Sequence, residues 1–441
     1  MKRRHLLQLG AAAALNPWAQ MRALAQTAPA ASDYRALVCV FMFGGNDGNN
    51  LLVPTDARYA AYQRARPNLA LASNTLLPLT LANATGLALH PAFTGLQGLV
   101  NGGQASVIAN IGPLLQPTTK AQYDARSVPL PANLFSHSDQ QGAWQSGVAE
   151  APARHGWGGR LLERAVAEGQ ANRGYAAISL SGGNIWEAGD KSLTPYRVSA
   201  SGRFGFDFYN PNGADPLSAA VAATLAETRS HPFEQTWLNM MGRSIEVQRV
   251  LAGALASSSV STVFPDTGLG RQLGMAAKLI AARGALGLSR QCFFTSLGGF
   301  DTHGDDQLQR QAELFAEIDG AVTAFNTAMA AMGLADSVTL FSASDFGRNL
   351  TSNGAGTDHG WGSHHFAVGG AARGTNGGKL LGRMPDLTLN GADDIGQGVW
   401  LPTTATDQLG TELARWFGAD ATTLAAVWPH GGGFNRIAGW A

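Results

Sequence analysis

Histidine and aspartate are concentrated in two short stretches in the second half of the sequence. The first is GGFDTH, residues 298–303, and the second is GTDHGWGSHHF, residues 356–366. Four of the ten histidines fall between His303 and His365, near carboxylates and in segments expected to form loops rather than helices. Neutral imidazole nitrogens and carboxylate oxygens are donors that suit Zn²⁺, Mn²⁺ or Ca²⁺. The two stretches therefore predict a site for one or two divalent metal ions.

Aspartates also follow three apolar runs that are typical of buried parallel strands. They are Asp47 after Tyr34–Phe43, Asp301 after Gln291–Leu297, and Asp345 after Ser337–Phe341. Parallel strands bring their carboxyl ends to one edge of a sheet, so these carboxylates are expected to converge there. A single aspartate after a strand more often caps the next helix, but capping does not explain three at one edge. The candidate metal ligands are Asp47, Asp301, His303, Asp345, His359 and His364, with His365 as the alternative to His364.

A second stretch, SHSDQQGAWQSG at residues 136–147, could supply catalytic groups. Ser136 stands where a short helix ending at Gly147 would begin, so it is either the N-cap or a nucleophile activated by a metal. His137 is a candidate ligand or acid–base group, or an ordinary loop residue. Arg348 could hold the oxygens of an anionic substrate or could form a surface salt bridge. The spacing alone leaves these alternatives open.

The elements around these residues alternate between strands and helices. Apolar residues recur at helical spacing over Asp306–Met332, between two of the strands, and a helix over Arg271–Leu286 precedes the first of them. A strand–helix–strand unit of this length implies parallel strands that are adjacent or nearly so. A last helix is expected over Asp407–Phe417, with Thr406 as its N-cap. The fold class predicted is a doubly wound α/β domain, with a mostly parallel sheet and helices on both faces, over residues 32–441. Residues 205–260 are expected to form a helical and irregular excursion.

The first 25 residues are expected to be a signal peptide. Arg3 and Arg4 precede a short apolar run that ends in Ala23-Leu24-Ala25, a pattern typical of twin-arginine export. An amphipathic anchor helix is the alternative. The run is too short to span a bilayer, and no later stretch is long enough, so we expect no stable membrane span. The protein is therefore predicted to use the twin-arginine export machinery and to reach the periplasm or the exterior.

Composition argues against binding to nucleic acid or to an anionic membrane, and against a fold held together by disulfides. Lys and Arg together number 31, as do Asp and Glu, so bulk electrostatics does not favour binding to nucleic acid or to an anionic membrane. The only cysteines, Cys39 and Cys292, lie in apolar strand-like runs. Buried thiols are favoured over a single disulfide, and a disulfide-scaffolded fold is excluded.

Taken together, several motifs resemble an exported bacterial family known as domain of unknown function 1501. They are LVCVFMFGGNDGNNLLVP, SHSDQQGAWQSG, GGFDTH, SASDFGR, GTDHGWGSHHFAVGG and LPTTATDQLGTELARWFG, which occur in this order across nearly the whole chain after the signal. This family is more remotely similar to the alkaline phosphatase–sulfatase superfamily. The resemblance implies an alkaline phosphatase-like sheet and a metal-dependent site for hydrolysis or group transfer.

The superfamily resemblance implies roles for particular residues. It makes Asp47 the first metal ligand, Ser136 the nucleophile, and Asp301 with His303 a ligand pair. In the superfamily a histidine follows the next strand's aspartate, whereas this chain has Phe346 after Asp345. The resemblance therefore implies that His359 replaces that ligand, with His364 or His365 as the last one. It leaves open one metal ion or two.

The function expected on this basis is metal-dependent hydrolysis of a phosphate, phosphonate or sulfate ester by Ser136. The substrate would be a small molecule or a glycan ester. No C/S-x-P-x-R motif follows Ser136, which disfavours a formylglycine sulfatase. No G-x-S-x-G elbow is present, which disfavours a serine carboxylesterase. The remaining alternative is a catalytically degenerate exported binding protein on the same scaffold.

Overall fold

The structure is a computed structural model that describes residues 33–191, 193–201, 209–210 and 215–440. The predicted signal peptide lies outside these residues, and so does part of the predicted excursion at 205–260. Among the described residues, each helix is either too short or too polar to cross a membrane.

Twelve strands are found in the described part of the chain. In chain order they are β1 Arg35–Phe43, β2 Leu52–Pro54, β3 Leu77–Pro78, β4 Leu87–Leu89, β5 Ala105–Gly112, β6 Ala177–Ser179, β7 Tyr196–Arg197, β8 Arg290–Gly298, β9 Val338–Ser344, β10 Ser363–Gly369, β11 Leu380–Gly382 and β12 Thr404–Ala405. Nine of them form one sheet in the order β11-β5-β10-β9-β1-β8-β6-β7, with β12 also paired to β5. The other three form a small sheet in the order β2-β4-β3.

The α-helices of the described residues cover both faces of the large sheet. They are α1 Gly48–Leu51, α2 Tyr59–Ala65, α3 Thr94–Asn101, α4 Lys120–Asp124, α5 His137–Ser146, α6 Trp157–Ala167, α7 Pro216–Leu225, α8 Pro232–Ala256, α9 Gly268–Ala281, α10 Gln307–Ala331, α11 Thr406–Phe417 and α12 Ala421–Val427. Side chains alternate along β1, so Val38 and Val40 pack with α3, α8, α9 and α10, whereas Leu37 and Phe41 pack with α5, α6, α11 and α12.

The predicted α/β class is confirmed, because the large sheet is mostly parallel and lies between two helical layers. Strand β1 lies at its centre, parallel to β8 and β9, as its uninterrupted apolar run predicts. The last long helix begins one residue earlier than expected, since Ala405 rather than Thr406 is its N-cap. Both cysteines are buried free thiols, in agreement with the favoured interpretation.

One strand is antiparallel to its neighbours, and it contains the end of the histidine-rich stretch. Strand β10 is antiparallel to both β5 and β9, and it includes His364 and His365, which were expected to lie in a loop. Both side chains are buried within the sheet. Burial lowers the pKa of His364 to about 4 and that of His365 to about 3, so both imidazoles are neutral near pH 7.

Glu187, which follows β6 in the sequence, has a completely buried carboxyl group. The stability of the protein should therefore depend on the protonation of this group. Burial raises its pKa from 4.5 to about 8. A raised pKa contributes stability below pH 4.5 that is lost as the pH rises toward 8. We expect Glu187→Gln, relative to the parent protein, to gain about 3 kcal/mol in free energy of unfolding between pH 4.5 and pH 7. Denaturant titrations at the two pH values measure this difference. The exposed Glu168→Gln is the control, and parallel pH profiles for parent and Glu187→Gln would contradict the prediction.

Candidate metal centre

The three aspartates predicted to share one edge do follow neighbouring strands. Strand β1 lies between β8 and β9, so Asp47, Asp301 and Asp345 all emerge at the carboxyl edge of the sheet. Helix α5 begins beside this edge with His137, whose ring contacts Asp345 and Asp301. The edge therefore collects side chains from distant parts of the sequence, and their orientations decide which can bind a metal.

Asp301 is the centre of the cluster. Its Oδ1 lies 2.9 Å from His303 Nε2, 3.0 Å from Arg348 Nη2 and 3.4 Å from His359 Nε2. Its Oδ2 lies 3.5 Å from His137 Nε2. Ligand atoms of His137, Asp301 and His359 all lie within 4.8 Å of one another, which is the spacing a single ion needs.

The histidines of this cluster share one orientation, with Nε2 toward Asp301 and Nδ1 toward an outer oxygen atom. The Nδ1 contacts are His137 to Asp345 Oδ2 at 2.6 Å, His359 to the Phe135 carbonyl at 2.8 Å, and His303 to Asp358 Oδ1 at 3.3 Å. An Nδ1–H that donates outward leaves the Nε2 lone pair directed inward, which is the arrangement of histidine ligands in metal sites.

The distances between ring nitrogens give a physical test of metal fit. His303 Nε2 and His359 Nε2 lie 3.2 Å apart. With both Nδ1 atoms protonated, both Nε2 atoms carry lone pairs and no hydrogen joins them. Two facing lone pairs repel each other, and a cation between them removes that repulsion. The residues present therefore fit a divalent metal ion.

Electrostatics keeps the donors in the forms that bind a metal. Burial acts to raise the pKa of Asp301, but the charge of Arg348, together with that of the surrounding imidazoles when they are protonated, outweighs it and holds the pKa below its ordinary value. Burial lowers the pKa of His359, which favours the neutral ring. A carboxylate and neutral imidazoles are the protonation states that coordinate metals.

Arg348 is buried against this cluster rather than placed in solvent. Its side chain has no exposed surface, and its guanidinium donates to Asp301 while approaching His303 Nε2 at 3.4 Å. The surface salt bridge considered from the sequence is therefore not what the structure shows. The buried cation compensates the charge of Asp301 from the protein side.

Asp345 occupies a supporting position instead of the ligand position expected from the sequence. Its Oδ2 accepts hydrogen bonds from His137 Nδ1, from Gln141 Nε2 at 3.0 Å and from the Gly44 amide at 3.2 Å. The carboxylate is fully buried behind the His137 ring, and burial raises its pKa. Asp345 therefore orients His137, which is the role of a second carboxylate in a carboxylate–histidine–metal arrangement.

Asp47 does not reach the cluster either, although the superfamily resemblance made it the first ligand. Arg66 Nη2 and Nη1 lie 2.5 and 3.1 Å from its two oxygens, and Gln307 Nε2 donates at 2.8 Å. Both side chains of the ion pair are buried. The carboxylate that could have held a second ion is neutralised by an arginine of the same chain.

His364, the last of the predicted ligands, is also turned away. Its Nδ1 accepts a hydrogen bond from the Asn110 amide at 3.0 Å, inside the sheet. The alternative ligand His365 contacts Ser342 Oγ at 3.1 Å and is equally buried. Because both lie within β10, the register of that strand fixes them in the core.

Ser136 stands at the N-cap position of α5, as predicted, but its hydroxyl does not cap the helix. Instead Ser136 Oγ donates to Asp139 Oδ2 at 2.6 Å. The loop before it is strained, since Asn133 and Phe135 have φ values of +47° and +73°. This loop directs the Phe135 carbonyl to His359 and places Ser136 next to the cluster residue His137.

Several contributors were missed by sequence reasoning. Asp358 lies in the histidine-rich stretch, but no role was predicted for it. The roles of the Phe135 carbonyl and of Gln141 could not be predicted from the sequence, because they depend on the orientation of these groups. Phe346, which stands where the superfamily has a histidine, packs its ring 4.8 Å from His137 and 4.6 Å from His359. It thus supports two of the rings from the side of the core.

The supporting role of Asp345 leads to a testable expectation. Asp345→Leu removes the acceptor of the His137 Nδ1–H, so the ring loses its fixed orientation. We expect metal affinity to fall about 10- to 100-fold, measured by competition with a chromophoric chelator. The substitution Gln141→Leu is the control, because it removes a contact of Asp345 but leaves the bond to His137. Unchanged affinity in folded Asp345→Leu would contradict the supporting role.

Comparisons with known proteins place the chain in a family without assigning an activity. No curated protein matches it in sequence. Among solved structures, it is similar to the PsFucS1 sulfatase of Pseudoalteromonas sp., with 10% identity over 91% of this chain and 70% of that one and a TM-score of 0.35. It is similar to the phosphonate monoester hydrolase of Agrobacterium radiobacter, with 9% identity over 79% and 70% and a TM-score of 0.35.

A third similar structure is a lipoteichoic acid synthase of Listeria monocytogenes, with 8% identity and a TM-score of 0.27. The match covers 73% of this chain and 58% of the synthase, so the chain spans less than two thirds of that protein. One family model matches residues 34–422, which is most of the chain. This chain belongs to the family described as protein of unknown function (DUF1501).

Proposed function

We propose that this protein is an exported, metal-dependent hydrolase of a phosphate, phosphonate or sulfate ester. The observation that carries the proposal is the convergence of three imidazole Nε2 atoms on Asp301, each ring held from behind through Nδ1. Partly exposed Asp301 gives a substrate access to this point. Export rests on the twin-arginine pattern at Arg3 and Arg4.

The residues that would hold the ion are Asp301, His137, His303 and His359. A divalent ion at this point would act as a Lewis acid that polarises an oxygen of the ester and offsets its negative charge. The donors favour Zn²⁺ or Mn²⁺ as the ion, because three imidazoles and one carboxylate are poor ligands for Ca²⁺. Asp47 is paired with Arg66, so the geometry supports one ion rather than two.

Ser136 is the proposed nucleophile, with Asp139 as the group that takes its proton. The hydroxyl already donates to the Asp139 carboxylate at 2.6 Å. As Ser136 Oγ bonds to phosphorus or sulfur, its proton passes to Asp139 and the bond to the leaving oxygen of the ester breaks. Asp139 then returns the proton to that oxygen, which departs as the alcohol. Water then releases the acid from the serine and restores the hydroxyl. The buried guanidinium of Arg348 acts through Asp301 by balancing its charge.

A second candidate is a non-catalytic binding protein with a structural metal ion. The closed Arg66–Asp47 pair favours it, because a ligand position of the superfamily is lost. Metal binding without turnover of any ester is the result that would select this candidate.

The experiment that tests the hydrolase proposal compares Ser136→Ala with Ser138→Ala. We expect Ser136→Ala to lose at least about 10³-fold in kcat while it keeps full metal content, since a nucleophile is removed and no ligand is. Ser138 is an exposed neighbour whose Oγ lies 3.3 Å from that of Ser136, so Ser138→Ala should retain activity. Aryl phosphate, phosphodiester, phosphonate and sulfate esters form the substrate panel, with metal content measured by mass spectrometry. Equal activity of Ser136→Ala and the parent protein would exclude Ser136 as nucleophile.

A further inference from the structure

Helix α8 carries one apolar face along its whole length, yet only half of that face is covered. Residues at alternating spacings of three and four lie on this face: Phe233, Trp237, Met240, Ser244, Val247, Leu251 and Ala254. Val247, Leu251 and Ala254, in the C-terminal half, are buried in the core of the protein. Phe233, Trp237 and Met240, in the N-terminal half, remain 81%, 55% and 66% exposed.

The neighbouring helix extends this apolar surface. Helix α7 packs against α8, and its sequence PLSAAVAATL contains no charged residue. Leu217 on α7 is 52% exposed, and the four alanines of this helix are exposed as well. Three of the seven large hydrophobic side chains that are exposed in the described residues belong to α8 and a fourth belongs to α7. Clustering of this kind marks an interaction surface rather than scattered exposure.

We infer that the N-terminal half of α8, together with α7, forms a homodimer interface with a second copy of this chain. A surface related by a two-fold axis must be complementary to itself. In an antiparallel pair centred between positions 238 and 239, Trp237 lies opposite the partner subunit's Met240. In the same pair Phe233 lies opposite the partner subunit's Ser244, so a large side chain meets a small one.

Three exposed side chains of α8 supply somewhat less than half of the area that a standard interface buries. A covered aromatic side chain buries roughly 150–250 Å², so Phe233, Trp237 and Met240 at their exposures would together bury roughly 350 Å² per copy. Standard interfaces bury about 800 Å² per partner, and the exposed Leu217 and alanines of α7 add to the area that α8 offers. Charge disfavours an anionic lipid surface, because the stretch Phe233–Gly242 contains Glu234 and no basic residue.

Sedimentation equilibrium of the full exported protein, from about 0.1 to 100 µM, tests this inference. We expect the parent protein to have the mass of two chains and the double variant Phe233→Glu/Trp237→Glu to have the mass of one. Val263→Glu is the matched control, because Val263 is 89% exposed and lies outside α8, so this variant should remain dimeric. Circular dichroism of each variant shows that it is folded, and this readout depends neither on metal binding nor on ester hydrolysis.

Two results would overturn the inference. One is a monomeric parent protein over the whole concentration range, whether or not it binds vesicles of neutral phosphatidylcholine. Binding to such vesicles would assign the surface to lipid, and failure to bind would mean that another part of the same chain covers it. The other is a double variant that is as dimeric as the parent protein, which would place the interface elsewhere.

Discussion

Asp301→Ala is expected to reduce bound metal from about one ion per chain to nearly none. Asp301 is the only residue of the candidate centre whose ligand atoms contact all three inward-facing imidazoles. Its removal takes away the anionic donor and leaves the Arg348 guanidinium, which is buried beside the site, without its counter-charge. Loss of an outer partner typically costs 10- to 100-fold in affinity, so loss of this ligand should cost more than about 100-fold. Metal content after gel filtration, measured by mass spectrometry, gives the result.

The control for this substitution lies four residues away. Asp305→Ala removes an exposed aspartate of the same loop, and it should leave metal content unchanged. Ester hydrolysis should vanish in Asp301→Ala and persist in Asp305→Ala. If folded Asp301→Ala keeps a full equivalent of metal, the centre does not lie where the imidazoles converge, and both the metal site and the proposed mechanism fail.

Arg66→Met is expected to destabilise the protein by about 3–5 kcal/mol without removing metal. The substitution leaves the Asp47 carboxylate buried with no cation beside it, and an unpaired buried charge carries a penalty of this size. Gln307 Nε2 would still donate to Asp47, but one neutral donor does not replace a guanidinium. The free energy of unfolding, from denaturant titration, measures the loss.

An exposed ion pair in the same region gives the comparison. Arg58 and Asp56 form a similar short contact at the surface, and Arg58→Met should cost less than about 1 kcal/mol. Metal content separates a structural pair from a ligand, because the proposed centre does not use Asp47. A folded Arg66→Met that binds a second ion would show instead that Asp47 is a ligand held closed by Arg66.

The sequence predicted the positions of the strand ends better than the directions of the side chains. Three uninterrupted apolar runs were enough to place Asp47, Asp301 and Asp345 at one edge, because continuous hydrophobicity implies strands covered on both faces. The same patterns gave helix α10 to within one residue at each end. They did not distinguish a carboxylate facing the open edge from one facing an arginine.

The histidines in β10 show why the directions of the side chains could be known only from the tertiary structure. Within residues 356–366, the pattern of glycine, serine and aromatics suggested a loop, yet Ser363 onward pairs with β5 and β9. Strand pairing depends on partners more than 200 positions earlier as well as on β9, and local propensity carries no information about them. His359, just before the strand, reaches the centre, whereas His364 and His365 are fixed in the core.

The sequence by itself determined which groups lie near the carboxyl edge of the large sheet. It predicted buried parallel strands, aspartates after them, and enough histidines nearby to bind a metal. Only the tertiary structure decided which of these groups meet. Arg66 closes on Asp47, Asp345 turns behind His137, and the strained Phe135 backbone fixes His359. The physical reason is that coordination depends on the orientation of single atoms within a few ångströms, and packing between distant segments sets that orientation.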